Sequence, residues 1–206
     1  EHASMAGLAT SGTLTHWFRD QMARDLDPAQ AFAVLADEAA TSPPGANGLL
    51  MLPYFSGERT PIHDVHAKGA VFGLNLTHTR GDLFRAFLEG IAHGTRHVTD
   101  TFAELGQAPS RLLAVGGGTK NALWLQATSD ITGIDQIVCE KTIGASYGDA
   151  FLAALAVGTV TRGDIATWNP AQTTVTARPD PAYDRAHPLF RRLYEQTKDI
   201  ARDLSD

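Results

Sequence analysis

The amino-acid sequence predicts an α/β domain, on three observations. Leu112, Leu113, Ala114 and Val115 form a short apolar run that enters three glycines, Gly116, Gly117 and Gly118, and then a helix-compatible segment. A second apolar run ending in Ile137, Val138 and Cys139 follows, so strand, helix and strand succeed one another as in a parallel βαβ unit. Between Asp82 and Leu105, Phe84, Phe87, Leu88, Ile91, Thr95, Val98, Phe102 and Leu105 recur in steps of three and four, which predicts a long helix lying across a sheet.

The remaining elements follow in chain order. Gly7 to Gly12 is a small-residue turn, and helical periodicity starts behind it with Ser11 or Thr13 as the cap. A helix start behind glycine offers a place for an anion or a sugar edge. Asp27-Pro28 predicts a second helix, through Ala31 to Ala39, with proline at its first position, and Ser42-Pro43-Pro44-Gly45 stops it. Gly48 to Tyr54 reads as a buried strand halted by Pro53, and it runs into Gly57-Glu58-Arg59-Thr60-Pro61, a loop either solvated or set for ligand contact. Gly144 to Gly158 predicts a helix rich in small residues, suited to close backbone packing, with Asp149 either solvent-facing or at a hinge. Residues 161 to 181 look extended, and an amphipathic tail helix covers about 182–205, its clearest pattern running from His187 to Leu204.

The glycine turn is the chemical centre of this reading. Glycine serves where the backbone takes positive φ or lies close against a flat group, and a side chain at Gly117 or Gly118 would block such an approach. Free N–H groups of the helix beginning near Thr119 would face whatever lies over the turn, and the Asn121 amide suits a purine edge or a ribose. A nucleotide fits there; so does simple close packing of helix on sheet. The spacing is neither the dinucleotide fingerprint nor a Walker loop. Trp124 either stacks on a base or fills the core.

Composition narrows the rest. In 206 residues, 17 basic against 23 acidic side chains give a net charge of −6 with no basic block, which argues against nucleic acid as a partner. No apolar run approaches the roughly 20 residues that span a membrane, and the cytoplasm is the default compartment. The single Cys139 excludes an internal disulfide and reads as an inert buried thiol. The chain opens on Glu1, as an excised piece of a longer protein would. Glu89, His93 and His97 share a helical face, but no third ligand with a supporting shell accompanies the two histidines, so no metal site is assigned and Glu89 is expected to anchor backbone or a partner charge.

Gly57-Glu58-Arg59-Thr60-Pro61, Gly69 to Leu74, Arg85 to Ala92, Gly116-Gly117-Gly118 with Asn121, Gln126 and Asp130, and Gly144-Ala145 occur in the order in which similar motifs occur in the C-terminal domain of FGGY carbohydrate kinases. The resemblance, which covers about residues 7–160, extends to a family that includes xylulokinase and glycerol kinase. It implies an actin-like ATPase fold with a ribonuclease H-like core, a central mixed sheet flanked by helices, forming one domain over residues 1–206. It implies ATP with Mg2+ as cofactor, and transfer of the γ-phosphoryl group to a hydroxyl of a ketose or polyol, a xylulose-like sugar being favoured by the Gly-Glu-Arg-Thr-Pro loop. It also implies nucleotide contacts at Gly12, Gly116, Gly117, Gly118 and Asn121, and at His16, which stands where glycerol kinases carry a glutamine. The catalytic aspartate and an Asp-x-Gly-Thr phosphate loop belong to the family's N-terminal domain, and no Asp-x-Gly-Thr occurs in this chain. An N-terminal sugar-binding domain is therefore expected to be missing and the fragment to be inactive alone; Gly144 to Ala154 resembles the hinge between the two domains, and a homodimer stays open. The alternative is a non-catalytic nucleotide-binding or structural module of the same fold.

Overall fold

A computed structural model describes residues 5–205, so residues 1–4 and 206 of the expected domain lie outside the described residues. The chain forms α1 (Gly12–Met22), α2 (Ala31–Ala40), β1 (Leu50–Leu52), β2 (Ala70–Phe72), α3 (Arg80–Glu104), β3 (Leu112–Ala114), α4 (Ala122–Thr132), β4 (Gln136–Cys139), α5 (Ala145–Ala156), α6 (Ile165–Trp168), β5 (Ala171–Val175) and α7 (Pro181–Asp203). The βαβ unit is present: β3 runs parallel to β4, with Leu112 opposite Gln136 and Ala114 opposite Val138. β5 adds antiparallel to the far edge of β4, which makes a small mixed sheet of order β3-β4-β5. β1 and β2 form a separate antiparallel pair. Among the described residues no helix is long and apolar enough to cross a membrane.

The 25-residue α3 is the spine. It starts at a reciprocal cap, in which the Thr79 hydroxyl accepts from the Asp82 N–H while the Asp82 carboxylate accepts from the Thr79 N–H at 2.8 Å. Burial alone would push the Asp82 carboxyl up, but hydrogen bonds from Ser42, Thr79 and Asn47 outweigh it and hold it at about 2. Most of the first half of α3 is buried, with Phe84, Phe87, Leu88 and Ile91 packed among Leu14, Phe18, Leu35 and Met51. It crosses β1 at Gly90, where an added Cβ would lie 2.5 Å from the Met51 carbonyl oxygen.

The predicted stripe continues to Leu105, yet burial fades beyond Thr99 and Leu105 is 69% exposed. Within the second half, Thr95 borders an open cleft. Two other expectations are corrected. Pro28 precedes α2 rather than starting it, since residues 28–30 form a turn and Gln30 is the cap. Residues 161–181 carry the turn Arg162–Asp164, the short α6 and β5; Thr161 caps that turn through Asp164, a local pattern hidden in an extended-looking composition. The tail helix begins at Pro181 behind the Asp180 cap, ahead of the His187 pattern, and keeps Pro188 within it. It buries Phe190 and Tyr194 over Leu52 and Tyr54, forming a second apolar cluster. Cys139 is buried, as expected of an inert thiol.

Candidate functional site

After β3 the backbone turns at Gly116, whose φ of +87° places it where an L side chain is strained. The Gly116 N–H donates to the Thr142 carbonyl at 2.6 Å, and its own carbonyl accepts the Thr119 hydroxyl at 2.7 Å, so the turn is pinned on both sides. Residues Gly117–Lys120 make one 3-10 turn, and Asn121 caps α4 by accepting the Trp124 N–H at 2.9 Å. The helix start is thus less free than expected. The cap occupies the Asn121 carbonyl oxygen and leaves the NH2 group as the donor for a ligand.

The two glycines that follow Gly116 do different work. An added Cβ at Gly117 would meet nothing within 4 Å, whereas at Gly118 it would lie 2.9 Å from the Trp124 ring. Gly118 is needed for the protein's own packing; Gly117 keeps space open. Trp124 packs against the main core, as one of its two expected roles requires, and it also lines the cleft.

That cleft has a volume of about 560 Å3, within the range of small-molecule sites. Gly12, Thr15 and His16 of α1 form one wall, and Phe32, Ala33 and Ala36 of α2 another. Gly117, Gly118, Lys120, Asn121 and Trp124 close it beside Phe84 of α3. The His16 ring meets Phe32 edge to face, with centroids 5.1 Å apart. Small residues on facing walls with aromatic edges suit a flat aromatic ligand, and His16, Asn121 and Lys120 supply polar groups. Of the expected contact residues, Gly12, His16, Gly117, Gly118 and Asn121 come together here, while Gly116 shapes the turn rather than the wall. The α2 wall escaped the sequence reading. Its sign is that Phe32, Ala33 and Ala36 fall between the buried positions Ala31, Leu35 and Ala39, leaving a second, small-residue face.

A neighbouring cleft of about 520 Å3 shares Gly12, Gly117, Gly118 and Trp124 but is otherwise bounded by Leu8, Ser11, α3, β3 and α4. Lys120 is the one charged side chain lining either cleft among the described residues.

Glu89, His93, Gln126 and Asp130, also singled out from sequence, bind other parts of the fold. Glu89 accepts from Arg85 at 2.7 Å, from the Tyr183 hydroxyl at 2.8 Å and from the Gly45 N–H at 3.2 Å, so it anchors both backbone and a partner charge. Burial pushes its carboxyl up while the Arg85 guanidinium opposes that. His93 pairs with His187 of α7, their Nδ1 atoms 3.3 Å apart. Gln126 and Asp130 tie α4 to the strand exit: Gln126 donates to Asp130 at 2.6 Å, and Asp130 accepts the Arg178 N–H at 2.7 Å. In α5, Phe151 is buried and Asp149 is exposed, as are the neighbouring Ile143, Leu152 and Val157.

Residues 2–157 match the model of the FGGY family of carbohydrate kinases, C-terminal domain. The xylulose kinase of Bacillus subtilis is 31% identical over 206 residues, covering 96% of this chain and 40% of that protein. The crystal structure of xylulose kinase from Rhodospirillum rubrum superposes with a TM-score of 0.81 at 34% identity, over 94% of this chain and 39% of that one. Plasmodium falciparum glycerol kinase, solved with ADP, superposes with a TM-score of 0.70 at 25% identity, over 93% of this chain and 36% of that one. The chain spans about 40% of the length of the curated xylulose kinase it matches.

Proposed function

Because this chain belongs to the FGGY family of carbohydrate kinases, as its C-terminal domain, we propose that it is the nucleotide-holding half of an enzyme moving the γ-phosphoryl group of ATP to a ketose or polyol hydroxyl. The observation that carries this is the convergence of Gly12, His16, Gly117, Gly118 and Asn121 on one cleft of about 560 Å3. The base would lie between the α2 alanines and the glycine turn, with the Asn121 NH2 group as donor. The ADP named for the Plasmodium falciparum glycerol kinase structure supports a nucleotide in a related fold.

Mg2+ would arrive with the nucleotide phosphates, since among the described residues no group of three His, Cys, Asp or Glu side chains is placed to hold a metal. The acceptor is proposed as a xylulose-like ketose, on the Gly-Glu-Arg-Thr-Pro loop and on the xylulose kinases among the relatives. The exposed Ile143, Leu152 and Val157 around α5 suit a face against which a second domain closes.

The experiment is an ADP titration of the chain and of a Gly117→Trp variant. Since nothing stands within 4 Å of a Cβ at Gly117, the variant is expected to fold while its indole fills the cleft. Loss of ADP binding is the expected result. Unchanged affinity would favour the alternative of a module whose glycines serve packing, a role Gly118 already shows against Trp124.

A further inference from the structure

Glu58 is 3% exposed, and its Oε1 accepts two backbone N–H groups, from Ala9 at 2.7 Å and from Arg59 at 2.8 Å. Its Oε2 is buried with no hydrogen-bond partner among the described residues. Burying a carboxylate with one oxygen unpaired is costly, and its two backbone partners offset only part of that cost. What Glu58 grips points to its use.

Ala9 lies three residues before Gly12, which lines both clefts, and Leu8 and Ser11 line the second. The same stretch is held by the Thr10 hydroxyl, which donates to the Pro53 carbonyl, and by Leu8 packed on Gly94. On its other side Glu58 belongs to a stiff loop. Glu58 and Asp64 exchange backbone N–H to carbonyl bonds of 2.8 and 2.9 Å, and His63 is held at a φ of +49°. A rigid loop therefore holds a charged clamp on the chain that forms the lip of the clefts.

We propose that Glu58 is a positioning residue for nucleotide binding: by holding the Ala9 N–H it fixes Gly12 and the start of α1 where the cleft matches the nucleotide. The inference rests on the nucleotide reading given above. Arg59 of its own loop and Tyr54 just beyond β1 are the titratable groups whose charges act on or feel Glu58, and residues 7–10 carry none. Burial pushes the Glu58 carboxyl up, against the Ala9 and Arg59 N–H groups and the Arg59 charge. Protonation removes the charge from the clamp, so acid loosens the lip.

The test is ADP affinity against pH for the wild-type chain, Glu58→Ala and Glu58→Gln, with amide exchange of residues 7–14 followed alongside. Glu58→Ala is expected to bind about tenfold more weakly, the scale of one charge-assisted hydrogen bond, and to lose protection at the Ala9 amide. Glu58→Gln keeps an acceptor oxygen, so it is expected to recover most of the affinity, within about threefold of wild type, and to lose the acid weakening shown by wild type. All three proteins carry the same histidines, so the difference between profiles belongs to position 58. Wild-type affinity in Glu58→Ala, or a wild-type pH profile in Glu58→Gln, would overturn the role and leave the nucleotide reading standing. If Glu58→Ala does not fold, the Glu58→Gln profile decides alone. A wild-type chain that binds no ADP would overturn both.

Discussion

Gly90 and Gly148 both sit inside helices, where helix propensity favours alanine over glycine by about 1 kcal/mol. Propensity alone therefore predicts that alanine stabilises both sites. At Gly90 an added Cβ would come within 2.5 Å of the Met51 carbonyl oxygen and 3.0 Å of the Met51 sulfur, so α3 would have to lift off β1. At Gly148 it would meet nothing within 4 Å, and that backbone is not in the left-handed region. Gly90→Ala is therefore expected to destabilise by about 1–3 kcal/mol, and Gly148→Ala to stabilise by about 0.4–1 kcal/mol. Urea unfolding of the two variants reads out the signs, and equal signs would show that packing does not govern the difference. Asn121 presents a related conflict within a single side chain. Its oxygen supports α4 as a cap worth about 1 kcal/mol, which leaves only the NH2 group for the proposed nucleotide contact.

Between elements, α7 is joined to α3 by polar groups taken out of water. The Tyr183 hydroxyl donates to Glu89 and accepts from Arg85, and His187 stands between His93 and Asp100. Burial lowers His93 to about 3 and His187 to about 4 from the ordinary 6.5, with the Arg96 charge adding to both and Asp100 opposing at His187. A neutral His187 that donates from Nε2 to Asp100 has a bare Nδ1, so the network assigns the Nδ1 proton of the pair to His93. Both folded-state values lie below the unfolded one, so the unfolded chain binds more protons in acid. Stability is then complete above about pH 6.5 and falls as the pH drops through about 4, each histidine contributing about 1–3 kcal/mol. Urea midpoints taken from pH 7 to about pH 4 check this, and a flat profile would show that the two rings are already accessible to protons in the folded chain. The raised Glu58 and Glu89 carboxyls act in the opposite sense and moderate the slope.

At the scale of the whole molecule, what could be read in the sequence was what neighbouring residues decide together. The β3, glycine turn, α4 and β4 unit lies within residues 112–139, and its apolar runs and breakers follow one another directly. The α2 wall of the cleft and the seating of Tyr183 on Arg85 and Glu89 depend on partners tens of residues away, a separation that periodicity does not encode. The same distinction bears on catalysis. A positioned general base accelerates such reactions by about 10²–10⁴-fold, and phosphoryl transfer also needs donors on the β- and γ-phosphates. Among the described residues neither cleft is lined by an Asp or Glu, and the chain contains no Asp-x-Gly-Thr segment. On the proposed reading the polypeptide would hold a nucleotide without the group that takes the proton from a sugar hydroxyl. We therefore expect the chain alone to bind ADP yet release none from ATP in the presence of xylulose, glycerol or gluconate when followed by a coupled assay. Sustained ADP release dependent on one of those acceptors would mean that a base lies within these residues, and the division of labour proposed for the two halves would have to be abandoned.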